Sequence, residues 1–181
     1  MAYETLEVTS DTRGVVSLRL NRPEARNAMS GQMIKELSDF AVAIGKDART
    51  RAVVLHGAGK VFCAGGDLGW MKAQIEADRQ TRRVQARALA MMLKALNEIP
   101  VPLIGKLHGG AFGGGLGLAC ICDVVVAAND TKFGFTETRL GLIPATISPY
   151  VLARMGEGNA RRVFMSARVF GAFEAHDLGV V

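Results

Sequence analysis

The chain has 181 residues, 49% of them hydrophobic, with 22 Lys and Arg against 17 Asp and Glu for a formal charge of +5. That is enough chain to bury one core, and no run reaches the ~18 apolar residues of a membrane span. The first residues, "MAYETLEVTSDTRG", carry acids where a signal peptide would be basic and then apolar, which predicts a cytoplasmic protein with no membrane partner. Cys63, Cys120 and Cys122 are an odd set with no His nearby to complete a zinc site, so neither a metal nor a disulfide is predicted.

In chain order, "GVVSLRLN" (14–21) is the first β-rich run. Ser30 is a plausible N-cap for a helix whose apolar positions Met33, Leu37, Phe40, Ala41 and Ile44 repeat at helical spacing. "RAVVLHG" (51–57) follows as a strand, and then a second helical pattern through Val84, Ala88, Met91, Met92 and Ala95, with the Met residues as core filling. "VPLIGKLHG" (101–109) and "DVVVAA" (123–128) are the next strands. Strands alternating with helices predict an α/β fold with parallel strands and crossover helices.

Two glycine clusters fall at strand ends. "GGAFGGGLGLACICD" (109–123) should turn and enter a short buried helix, whose first amides lack intrahelical partners and carry partial positive charge. "VFCAGGDLGWM" (61–71) bares backbone at the end of the preceding strand. Two such places are what a pair of donors aimed at one developing oxyanion requires. The run from Gly109 to Gly117 has no Gly-Lys-Ser/Thr ending and no GxGxxG, so it is neither a Walker loop nor a dinucleotide fingerprint.

With "LNRPEARNAMS" (20–30), "FCAGGDL" (62–68), "GGAFGGGLGLACICDVVVAA" (109–128) and "KFGFTETRLGLIP" (132–144) in this order, the sequence resembles the crotonase, or enoyl-CoA hydratase/isomerase, superfamily over its whole length. The resemblance implies a spiral of repeated β-β-α units, read here as a single domain over 1–181. It implies acyl thioesters of coenzyme A as substrates rather than a bound cofactor. It also implies an oxyanion hole from the amides of Gly66 and Gly114, and Ala25, Ala64, Asp67 and Leu68 along the coenzyme A channel. Family chains continue well beyond a point corresponding to "FGAFEAHDLGVV", so the C-terminal helical segment is expected to be absent here. With that segment, the expected assembly is a homotrimer or hexamer.

Of the two glutamates that family hydratases bring to the substrate, only Glu137 has a counterpart; Gly117 stands at the other position. A carboxyl in an apolar setting can exchange protons near neutral pH. Hydration ordinarily holds water between two carboxyls, whereas one carboxyl can shuttle a proton between carbons, so the bare chemistry leans towards a double-bond isomerase. "RLGLIPATISPYV" (139–151), together with "GGGLGL", resembles instead the methylglutaconyl-CoA and isohexenylglutaconyl-CoA hydratase branch, and a hydratase of that kind is the favoured reading. An isomerase and a non-catalytic acyl-CoA-binding relative are the alternatives. In that branch the extra substrate carboxylate would use the space at Gly117, with Arg139 and Arg154 as candidate partners against an ordinary surface role.

Arg79, Arg82, Arg83 and Arg87 group on one side of a helix, but no aromatic residue accompanies them to stack on bases, so they read as a solvated face and nucleic acid is not an expected partner. His108 reads as a packed or backbone-bonded histidine, and His56 and His176 lack a nucleophile. Asp123 should cap or pair at the start of its strand, and Trp70 should line pocket or core.

Overall fold

A computed structural model describes residues 3–181. β1 (Leu6–Ser10) and β2 (Val15–Leu20) form an antiparallel hairpin; β2 then pairs in parallel with β3 (Ala52–Gly57), β3 with β4 (Leu103–Leu107), and β4 with β6 (Val124–Ala127). The register sets Leu18 beside Leu55 and Arg19 beside His56. A second, smaller sheet orders β5 (Gly110–Phe112), β7 (Lys132–Gly134) and β8 (Phe170–Gly171), and Cys63 adds a parallel bridge to Ala111. Each pass of the chain therefore lays one strand in the large sheet and a short one in the small sheet. β3 leads to Cys63, β4 to β5 and β6 to β7, with helix between passes. This is the expected β-β-α spiral.

α1 (Gly31–Ile44), α2 (Leu68–Glu76) and α3 (Arg79–Asn97) each begin with a side-chain cap. Ser30 accepts from Met33 N at 3.2 Å, Asp67 from Trp70 N at 3.0 Å and Asp78 from Thr81 N at 2.7 Å. Such caps contribute about 1 kcal/mol each. α1 buries Met33, Leu37 and Phe40 in the same core cluster as Leu18, Leu20 and Leu55 of the sheet. Burial at this level is worth roughly 1.5–3 kcal/mol per large side chain.

α3 corrects one expectation. Its buried face is Met92, Leu93 and Leu96, while Val84 and Met91 are exposed at 54% and 47%. The first three turns of α3 run past the core; Met92 is buried and Ala95 packs on the core as predicted, while Leu93 and Leu96, not Val84, Ala88 and Met91, complete the buried face. The hairpin strand β1 and the antiparallel β8 also went beyond the predicted parallel set. The described residues contain no helix long and apolar enough to cross a membrane.

α4 (Gly114–Cys120) follows β5, and a 3-10 turn, Glu137–Leu140, follows β7. α5 (Ser148–Met155), α6 (Glu157–Phe164) and α7 (Ala172–Asp177) complete the described chain.

Candidate active site

Unlike α1 to α3, α4 has no side-chain cap. Its N-cap is Gly113, at φ +48°, ψ −117°, a conformation in which a side chain would be strained. Gly113 is held by its own amide, which donates to Gly134 O at 2.9 Å, while its carbonyl accepts from Leu116 and Gly117. The amide of Gly114 at the first helical position has no acceptor among the described residues.

The second glycine cluster is stitched to the segment after β2. Ala64 N donates to Arg26 O at 3.0 Å, Met29 N to Gly65 O at 2.8 Å and Asp67 N to Met29 O at 3.0 Å. Asn27, fully buried, donates from Nδ2 to Ala58 O and Val61 O and fixes the same loop from below. Within this clamp the amide of Gly66 also finds no acceptor. Gly65, at φ +102°, brings the two clusters together: a β-carbon there would lie 2.9 Å from Phe112 O and 3.7 Å from Gly114 N. Only glycine permits that approach.

Gly66 and Gly114 line one cavity of about 530 Å³, and Glu137 lines it with them. Glu137 opens the 3-10 turn after β7, with its carboxyl against Gly113; a β-carbon at Gly113 would sit 3.1 Å from Oε1. Its Oε2 is buried without a hydrogen-bond partner, and burial pushes its pKa above the usual carboxylate range. Among the described residues it is the one acid lining the cavity, whose walls are otherwise largely apolar, from Met29, Trp70, Met71 and Leu89 to Leu142 and Ile143.

Ala64 and Leu68 also line the cavity; Ala25 and Asp67 do not. Ala25 ends a 3-10 turn at Pro23–Ala25. Besides capping α2, Asp67 pairs with Arg22 at 3.0 Å. The Trp70 amide, with Arg22, holds its pKa low against the opposing effect of burial.

The carboxylate berth expected at Gly117 is not there. The side chain of Ile147 occupies the space a β-carbon at Gly117 would need, and it is Ile147, not Gly117, that faces the cavity. Arg139 and Arg154 do not reach the cavity either. Arg139 donates to Ala167 O at 2.7 Å, and Arg154 donates to the carbonyls of Cys120, Cys122 and Asp123 at the end of α4. Among the described residues, the one cation lining the cavity is Arg82.

The remaining residues have structural partners. His108 Nε2 lies 3.0 Å from Gly59 O, His56 Nε2 2.8 Å from Ser17 Oγ, and Asp123 accepts from Leu103 N at 2.7 Å. Trp70 lines the cavity. Cys63, Cys120 and Cys122 are free and buried, and burial pushes each thiol up to about 12. A thiol in that state is a packing group rather than a nucleophile.

The spiral α/β fold thus places two free amides and one buried carboxyl around a largely apolar cavity. Residues 10–181 match the Enoyl-CoA hydratase/isomerase family model, and the chain belongs to that family. It is 34% identical over 179 residues to the enoyl-CoA hydratase ACTT6 of Alternaria alternata, covering 99% of this chain and 57% of that protein. It is 34% identical over 192 residues to the mitochondrial Delta(3,5)-Delta(2,4)-dienoyl-CoA isomerase of Mus musculus, covering 99% and 58%. The solved structure of Pseudomonas aeruginosa AtuE superposes with a TM-score of 0.94 at 42% identity, over 98% of this chain and 69% of that one. The chain thus spans under three fifths of the length of these two relatives.

Proposed function

We propose that this chain carries the active site of an enoyl-CoA hydratase in which a single carboxyl, Glu137, serves as both base and acid. The observation that carries the reading is the convergence of the Gly66 and Gly114 amides with the unpartnered Glu137 carboxyl on one apolar cavity. With the thioester carbonyl between the two amides, Glu137 takes a proton from water as the water oxygen bonds to C3, and the C2–C3 π pair moves into the thioester as an enolate. The amides stabilise that oxyanion, each by about 3 kcal/mol in the transition state. The enolate collapses as Glu137 returns the proton to C2, which leaves the 3-hydroxyacyl thioester and restores the carboxylate. The raised pKa of Glu137 suits a group that alternates between the two forms.

The finer assignment is to methylglutaconyl-type substrates. It is supported by the segment 142–147 that lines the cavity, which lies within the "RLGLIPATISPYV" stretch resembling that branch. Ala64 and Leu68 would flank the coenzyme A arm, with Asp67 and Arg22 setting their loop, and a homotrimer or hexamer is the assembly proposed for the whole protein.

The lone carboxyl favours a second reading, a double-bond isomerase in which Glu137 moves a proton from C2 to C4 of a 3-enoyl thioester. Incubation with crotonyl-CoA, 3-methylglutaconyl-CoA and a 3-enoyl-CoA in heavy-oxygen water separates the two. Label entering the acyl group supports hydration, whereas migration of the double bond without label supports the isomerase. Neither change, with acyl-CoA still bound, would leave a binding relative.

A further inference from the structure

We infer that Arg82 selects acyl groups that end in a carboxylate, by ion pairing at the far end of the cavity from the oxyanion amides. The inference rests on the acyl-CoA reading above and names the anion that the site is built to accept.

Arg82 is the one cation lining the cavity among the described residues; its guanidinium makes no hydrogen bond or close ion pair there, and Asp78 one turn earlier feels its charge without bonding it. The other cations of its cluster, Arg79, Arg83 and Arg87, do not line the cavity. Its place follows from helix geometry. α2 starts just after Gly66 and runs to Glu76, the chain reverses through Ala77 and Asp78, and α3 returns beside it. Trp70 Nε1 donates to Gln85 Oε1 at 3.4 Å, which fixes the antiparallel register of the pair. Arg82 therefore stands one turn nearer the reversal, beside the Gln74 end of α2. Gln74 lies six helical residues beyond Leu68, and Asp67 before it is extended, so at 1.5 Å per helical residue and ~3.3 Å per extended one it lies up to about 15 Å along the wall from the oxyanion amide.

An arginine side chain reaching back along that wall meets an anion a few bonds past the thioester carbonyl. A carboxylate on a short acyl chain falls in that range, whereas the pantetheine arm carries the coenzyme A phosphates much further from the carbonyl. An anion held against these apolar walls loses part of its hydration, and Arg82, itself exposed to solvent, is the lining cation that would offset that loss. Neutral acyl groups gain nothing from it, so its effect is on selectivity.

The test uses the full chain with glutaconyl-CoA, crotonyl-CoA and coenzyme A itself. Glutaconyl carries a carboxyl on the carbon where crotonyl carries only hydrogen. Trp70, the one tryptophan, lines the cavity and reports binding by its fluorescence. Arg82→Gln is expected to lower the preference for glutaconyl-CoA over crotonyl-CoA by roughly two- to fivefold at low ionic strength, in line with a solvent-accessible ion pair. Arg82→Lys should retain part of the preference, Arg83→Gln should retain all of it, and molar salt should erase the difference. Equal weakening of all three ligands would assign Arg82 to the phosphates and overturn the inference, as would an unchanged ratio. Binding of both thioesters without hydration of either would sink the hydratase reading alone, since the binding ratio still reports on Arg82.

Discussion

Ile147 fills the volume above Gly117, so the two residues act as one packed unit at the start of α4. The second carboxyl of a two-acid site is thereby excluded by shape as well as by sequence. Gly117→Glu is expected to lower the melting temperature, because overpacking a filled core costs roughly 1–3 kcal/mol or more, which outweighs the helix propensity gained by replacing glycine. In Gly117→Glu combined with Ile147→Gly the losses should be less than additive, as for residues in contact. Thermal unfolding of the two single variants and the double variant checks this, and strict additivity would contradict the packed pair.

Gly114→Pro removes the free amide at the first position of α4, where proline is compatible with a helix start. The flexible end of Met29 is the side chain in its way and can move aside. Turnover should fall by about 100-fold or more while thioester affinity changes much less, since the lost donor acts mainly on the transition state. Steady-state kinetics set against Trp70 fluorescence titration separates the two effects. An equal loss in affinity and turnover would count against the oxyanion assignment.

Glu137→Gln is expected to abolish most turnover, by roughly 100- to 10,000-fold, and to leave a more stable protein at neutral pH. The sign follows from its raised pKa. The folded chain binds that proton more tightly than the unfolded chain, so stability falls as pH rises from the ordinary carboxylate range through the raised value. The gain in melting temperature over the parent should appear above that window and vanish in acid below it.

Glu36 gives the opposite dependence. It is 4% exposed on α1, and its carboxylate accepts from Glu4 N, Thr5 N, Thr5 Oγ1 and Gln32 Nε2 at 2.5–2.9 Å. Desolvation pushes its pKa up, but these hydrogen bonds outweigh it and the net shift is downward. Its contribution is therefore complete above the ordinary carboxylate pKa and is lost as pH falls through the lowered value. Glu36→Leu should destabilise by about 3 kcal/mol near neutrality, by stranding buried donors. Urea denaturation across pH reads both the size and the slope, and a cost that stays flat into acid would refute the carboxylate role.

What the sequence by itself determined is what short-range chemistry encodes. The alternation of apolar runs set the order of the main strands and helices, Ser30 marked the start of α1, and the glycine runs announced amides without partners at strand ends. The ordered motifs identified the family. Caps, periodicity and glycine content all act within a few residues along the chain, so they can be read there. The tertiary structure alone decided how segments far apart in sequence meet. It brought Gly65 to Gly114, laid Glu137 against Gly113, set Ile147 over Gly117, and turned Arg154 onto the end of α4 while leaving Arg82 in the cavity. Arg82 and Arg154 acquired different roles because a side chain's partners are fixed by the packing of the spiral's successive turns, and no local pattern carries that information.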